Sequence, residues 1–310
     1  MVRPVPYNAD LRHVGLVERP LRPGELVPNE AFVIPGRSAV IQQVGETTRS
    51  VGRNLSAVRL PPAYTGASNT IDKQMASEIK VDARTIFKHL LFSQNLLPDS
   101  DDLVTMIREA LHSAASSHSQ AGVNEWVKKN VSSETKRLRD IAINVHNDFK
   151  DIACILAPSL YNLTLPIRLR GHEVPFRQQE ILALLENFSW IDETHHLDDG
   201  SVSQVPFSHP AVIQVVIILL WGEKNYWRFI DVEHKNINPT VVFTGIVLQQ
   251  ALQEYSTGIF SPQELNARAS RSSYDSLHSR LLSLRGGELE RYNLLVDDLF
   301  TRGDEMLGKS

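Results

Sequence analysis

Between Ala211 and Trp221 this chain carries a single polar residue. The run reads Ala211-Val212-Ile213-Gln214-Val215-Val216-Ile217-Ile218-Leu219-Leu220-Trp221. A segment that is apolar all round must be buried in a protein core or in lipid. A membrane span needs about 20 apolar residues, and this run stops at Gly222-Glu223-Lys224. The expectation is therefore a soluble domain with this segment as its central helix and Ile217 in its core. Ser208 or His209 caps that helix. Pro210 opens it, in the first turn, where proline lacks only an amide that had no partner.

The first 68 residues are of another kind. They hold eight of the sixteen prolines and eight arginines, with no lysine. Proline at this density breaks helices and removes backbone donors. Against Asp10, Glu18, Glu25, Glu30 and Glu46 the arginines leave a net charge of +3, so the remainder carries -7 of the total of -4. Residues 1–68 read as an extended or disordered leader. Ala31–Ile34 and Ala39–Ile41 around Pro35-Gly36 offer the alternative of a small hairpin over residues 31–41, since Pro-Gly suits a type II turn.

From Ile71 the apolar residues recur at three and four, the helical period. Ile71, Met75, Ile79, Ala83, Ile86, Phe87, Leu90 and Leu91 form the first such face, ended by Leu97-Pro98. Asp99 or Ser100 caps a second helix carrying Leu103, Ile107 and Leu111, with Gly122 beyond its end. A third is expected over Ser132–Leu156, with Leu138, Ile141, Val145, Phe149, Ile152 and Ile155 inward and Pro158 closing it. Phe176–Trp190 reads as a helix and Asp192–Gly200 as a polar loop. Asn238-Pro239 opens a helix stopped by Gly258, and Ser261-Pro262-Gln263-Glu264 fits a capping box. Tyr274–Leu284 and Glu288–Phe300 finish the chain around a Gly286-Gly287 turn. Strand-like alternation is absent after residue 68. The fold class is all-α: one multi-helix domain over residues 69–303 and a flexible end at 304–310.

The pieces Phe176–Asp192, Pro206-Phe207-Ser208-His209-Pro210, Phe229-Ile230-Asp231, Ala251–Gly258, Tyr274–His278 and Arg291-Tyr292-Asn293-Leu294-Leu295 fall in one order. In that order they resemble domain-of-unknown-function family 6532, a large fungal family found mainly in mushroom-forming species. The resemblance spans about residues 71–302. It implies the fold boundary and a fungal, intracellular setting. It implies no activity, cofactor or catalytic residue.

The residues themselves offer few chemical constellations. Glu193, His195, His196, Asp198 and Asp199 could bind a divalent metal. They lack helical zinc spacing and calcium-loop spacing, so they read as a solvated acidic loop. His209 reads as a capping or packing residue, because no G-x-S-x-G context supplies a nucleophile; Gly36-Arg37-Ser38-Ala39-Val40 fails at its last position. Cys154, the single cysteine, sits between Ile152-Ala153 and Ile155-Leu156 and reads as a small buried hydrophobe. Trp221, Tyr226, Trp227 and Phe229 read as a core junction. Phosphate-cradling glycine loops are missing. Two basic groups remain: Lys128, Lys129, Lys136, Arg137 and Arg139 near Trp126, and Arg168, Arg170, His172 and Arg177 near Phe176.

The start, Met1-Val2-Arg3-Pro4-Val5-Pro6, has no apolar signal core, which predicts an intracellular protein, nuclear or cytoplasmic. The expected function is non-enzymatic: a helical interaction domain for a protein partner, without cofactor and without membrane. The alternatives are a nucleic-acid module using the two basic groups, and an enzyme with a site assembled around His209, Tyr274 and His278.

Overall fold

Eight helices and one two-stranded hairpin make up the described residues of the computed structural model. Those residues are 71–118, 122–163, 173–196, 199–231, 233 and 235–308. The leader, its hairpin alternative and the pair Arg168 and Arg170 lie outside them. The all-α class holds, with the hairpin as its one addition.

Helix α1 (Lys73–Ser93) starts where the Asp72 carboxylate accepts the Met75 amide, and it buries Ile79, Ala83, Phe87 and Leu91 at steps of four. Helix α2 (Ser100–Ser116) is capped by Asp99, whose carboxylate takes the Asp101 and Asp102 amides. These two helices pack on each other.

Helix α3 (Val123–Leu160) is longer at both ends than the expected Ser132–Leu156. Gly122 does not terminate α2. It caps α3 with φ of 93°, a left-handed conformation that glycine adopts without steric cost. Pro158 sits inside the last turn. There it forfeits a bond at the point where the helix is ending anyway, and the Leu163 amide donates to the Pro158 carbonyl at 2.9 Å. The buried stripe is also rotated from the expected one. Leu138, Ala142, Val145, Phe149, Ala153 and Ala157 face inward, while Ile155 is 69% exposed. Alanines on that stripe let α5 and α6 approach the α3 backbone closely.

Helix α4 (Glu173–Leu185) takes Pro175 into its first turn and runs on into a 3-10 turn, Glu186–Phe188. Asp192–Gly200 is not a plain loop. Strand β1 (Glu193–His196) pairs antiparallel with β2 (Val202–Val205), Glu193 opposite Val205 and His196 opposite Val202. Both strands are four residues long and largely polar, so the apolar alternation that announces a half-buried strand is missing.

Helix α5 (Pro210–Trp221) is the apolar run. It buries Ala211, Val212, Ile213, Val215, Val216, Leu219, Leu220 and Trp221. Gln214 is exposed and Ile217 and Ile218 are half-buried, so Ile217 is not a core position. The most enclosed helix is α6 (Asn238–Gln253), in which only Gln249 and Gln253 escape full burial. Contacts with α1, α3, α4, α5 and α7 surround it. Hydropathy ranks α5 higher because α6 includes Thr240, Thr244 and several glutamines, yet neighbours on every side decide burial.

The Ser261 capping box does not form. Helix α7 (Ala267–Gly287) is capped instead by Asn266, whose side-chain oxygen accepts the Ala269 amide at 3.1 Å. Gly286 and Gly287 finish that helix, and Glu288 alone links it to α8 (Leu289–Met306). Helix α8 thus runs past residue 303. A Cβ on Gly303 would sit 2.2 Å from the Trp221 indole, so glycine is what lets α8 close over the end of α5. No helix among the described residues is long and apolar enough to cross a membrane.

Candidate functional site

Three segments meet in a groove of about 660 Å³. The first is the turn into α2, Leu97 to Leu103. The Asn95 side-chain oxygen holds its Leu97 amide at 2.8 Å, and the His146 imidazole reaches the Leu96 carbonyl at 2.6 Å. The second is α3, which offers Arg139, Ala142, Ile143 and His146. Steps of three and four place these four side chains on one face. The third is the start of α7, with Leu265, Ala267, Arg268 and Arg271.

The third segment is pinned from below by Glu254, which is 1% exposed. Its Oε1 accepts the Gln263 amide at 2.9 Å and the Lys150 ammonium at 3.0 Å. Lys150 also donates to the Gln263 carbonyl. Cys154 donates its thiol proton to Glu254 Oε2 at 3.3 Å. Burial, then the Glu254 carboxylate, push that thiol up to about 12. A thiol so raised is a weak nucleophile at neutral pH, and Cys154 here is a half-buried structural donor.

Half of the residues lining the groove are apolar, and Ile143 among them is 54% exposed. The groove's charges are unequally engaged. Asp99 is spent on the α2 cap, which lowers its carboxyl below the usual range through the Asp102 amide first. Arg271 Nη1 lies 3.7 Å from Asp102 and its Nε 3.1 Å from Asp275, yet Nη1 has no hydrogen-bond partner. Arg139 and Arg268 are exposed and form no ion pair among the described residues. Asp101 is the remaining acid at the rim. His146 is held neutral: burial lowers its pKa, partly offset by the Leu96 carbonyl.

The described basic residues gather only in part. At 100° per residue, Lys128, Lys129, Lys136 and Arg139 share about 100° of the α3 surface, and Arg137 lies outside that arc. Glu125 falls within it. Arg137 bonds Glu134 at 2.7 Å, and Lys80 approaches the same buried carboxylate at 3.5 Å. Lys128 and Lys129 line a second hollow with Trp126 and Ile71. Arg177 is a backbone clamp, donating to the Leu163 carbonyl at 3.0 Å and the Gly258 carbonyl at 3.2 Å.

The histidines and tyrosine proposed for an enzyme are not joined. His209 caps α5, its Nδ1 accepting the Ala211 amide at 3.1 Å, and stacks on Tyr161 at 4.7 Å. Burial lowers its pKa, against a smaller upward pull from Glu193. Tyr274 stacks instead on His278 at 6.2 Å and is pushed up to about 12 by burial. Among the described residues no hydrogen bond links His209 to either. His195 lies 3.4 Å from Glu193 across the hairpin face, and no three His, Cys, Asp or Glu side chains among the described residues converge as a metal site. The aromatic group divides: Tyr226 and Phe229 pack on Phe92, whereas Trp221 meets Phe300 edge-on at 5.4 Å.

A family model described as "Domain of unknown function (DUF6532)" matches residues 82–284, from the middle of α1 to the last turn of α7. The chain belongs to this family. The match is narrower than the expected 71–302 and leaves out α8. It takes in the whole of α5 and α6 and all of the groove. No curated protein and no solved structure matches the chain.

Proposed function

We propose that the domain is a non-catalytic interaction module that binds a partner protein in the α2–α3–α7 groove. The partner segment presents an apolar side chain to Ile143 and Leu265, with acidic residues facing Arg139 and Arg268. The observation that carries this is Ile143: a large aliphatic side chain left over half exposed in the lining of a groove. Exposed apolar surface rimmed by polar groups marks interaction sites. Two uncommitted arginines and an unsatisfied Arg271 N–H set the sign of the partner's charge. The setting proposed with this reading is the nucleus or cytoplasm of a fungal cell.

A photo-crosslinking amino acid at Ile143 tests this, with Ile155 on the same helix as the exposed control. The reading expects one protein captured from position 143 and not from 155. With that protein purified, Arg139→Glu combined with Arg268→Glu weakens binding about tenfold or more, as charge-assisted contacts at an interface do. Identical adducts from both positions overturn it.

The second reading, a nucleic-acid module, keeps one observation: Lys128 and Lys129 flank Trp126 in a hollow of about 700 Å³. Cations beside an aromatic platform suit a single strand. Filter binding across a salt series decides it, and a slope near zero removes it.

A further inference from the structure

A different cation cluster lies on the α1 side of the molecule, outside the groove. Arg84 and Lys88 are one helical turn apart on α1. Arg228 comes from the 3-10 turn Tyr226–Phe229 that packs against α1. With Thr85, His89 and Phe229 they line a cavity of about 270 Å³ that has no acidic side chain in its wall.

The cluster is held from beneath by Phe229, which is 5% exposed. Lys88 Nζ lies 5.0 Å from the Phe229 ring centre, and the Arg228 guanidinium carbon 4.8 Å from it. The ring is itself fixed. His89 meets it edge-on at 5.4 Å and bonds the Phe229 carbonyl at 3.1 Å through Nδ1. Phe92 stacks on Phe229 at 6.2 Å and meets Tyr226 at a tilt at 5.1 Å.

Like charges one turn apart on a helix repel, and a third is brought in by the fold. The carboxylate with most influence on Lys88 is Asp148. That group is already engaged by Lys224 Nζ at 2.6 Å and the Tyr226 hydroxyl at 2.5 Å. Among the described residues Arg84, Lys88 and Arg228 form no ion pair. Burial, with Arg228 next, lowers the Lys88 pKa, so the surroundings work against the charge that the geometry collects.

We propose that Arg84, Lys88 and Arg228 form an oxyanion site for a phosphate monoester, seated over the Phe229 ring edge. A monoester brings close to two negative charges and three acceptor oxygens at neutral pH. Those match three cations, two from α1 and one from the 3-10 turn, in the wall of one small cavity. A carboxylate brings one charge and would leave two cations uncompensated. Arginine supplies forked donors and lysine a compact charge, the pairing that phosphate recognition uses. The site is independent of the α2–α3–α7 groove and shares no residue with it.

The test titrates the full chain by calorimetry at fixed ionic strength with inorganic phosphate and with a short phosphoserine peptide. Saturable binding is expected. Combined Lys88→Gln and Arg228→Gln weakens it at least about tenfold, Arg84→Gln alone weakens it less, and Lys136→Gln leaves it unchanged. Equal affinity for both ligands assigns the site to a small phosphorylated molecule. Tighter binding of the peptide, lost in the double variant, assigns it to a phosphorylated protein segment. Absence of saturable heat with either ligand overturns the proposal, as does an equal loss in Lys136→Gln. Tighter binding of a single-stranded oligonucleotide through the same three residues, with a steep salt slope, also overturns it.

Discussion

Arg280 and the Arg84–Lys88–Arg228 cluster use the same seat and differ in what answers their charge. Arg280 lies 4.4 Å above Phe188 and 5.9 Å from Phe207, much as Lys88 and Arg228 lie against Phe229. Arg280 also grips Asp192 with two bonds, at 3.1 and 2.5 Å, while the Phe207 amide gives the same carboxylate a third at 3.2 Å. The cluster on α1 has aromatic support and no such carboxylate. A cation over a ring is thus common to both regions. The paired one ties α7 to the start of the hairpin, and the unpaired ones are free to meet something else.

The sharpest way to break that contrast is Arg280→Ala. It strands a carboxylate whose side chain is fully buried, and removing one partner of such a pair costs about 3 kcal/mol. Urea unfolding should show it. Burial already raises the Asp192 carboxyl, with Arg280 pulling it back. In the variant the group escapes by taking a proton, so the deficit should shrink as pH falls from 7 toward 5.

Lys150→Met makes a milder version of the same cut. Glu254 keeps the Gln263 amide and the Cys154 thiol but loses its cation. We expect a loss of about 2 kcal/mol, less than for Arg280 because two donors remain. Alkylation of Cys154 should stay slow at pH 8 in the parent protein, since its thiol sits near 12. Glu254→Gln should speed it by withdrawing the negative charge.

His146 gives a pH-dependent test of the groove. Its folded pKa lies below the ordinary 6.5, so the unfolded chain binds the proton more readily. Its contribution is full above about pH 6.5 and is lost as pH falls from there toward the folded value. Stability by urea unfolding should decline over that window, and His146→Gln should flatten the decline.

The smallest effect has the opposite sign. Lys88→Gln removes a repelled charge and should raise stability by about 0.3 kcal/mol, the scale of one like-charge helix pair. A clear loss would mean that Lys88 is a fastener like Arg280, and the contrast between the two regions would fall.

Much of this was legible before any coordinates. The α5 run announced a buried helix, Asn238-Pro239 announced the start of α6, and Asp99 and His209 were readable as caps. The still fuller enclosure of α6 was not legible, because hydropathy counts a residue's own chemistry and not its neighbours. The hairpin was missed because Glu-Thr-His-His and Val-Ser-Gln-Val are short and carry no apolar alternation. The groove draws on residues 97–103, 139–146 and 265–271, which only packing unites. Arg139 stands out by charge, but Ile143 falls outside the expected inward face of Leu138, Ile141, Val145, Phe149, Ile152 and Ile155, and nothing in the spacing marks it as a groove residue. Arg84 and Lys88 sit four apart in plain view. Arg228, which turns that pair into a cluster, is 140 positions further on and reaches it through the fold.

Helix α3 runs unbroken for 38 residues, close to 57 Å at about 1.5 Å per residue. Its middle turns Ile143 to the groove, and about two and three turns later Lys150 and Cys154 meet Glu254. Those duties are therefore spaced by a rigid count. One residue inserted after Ile143 would swing everything downstream by about 100°, and either the groove or the Glu254 anchor would lose its register. Substitutions along this rod can be absorbed one at a time, whereas a change in its length cannot.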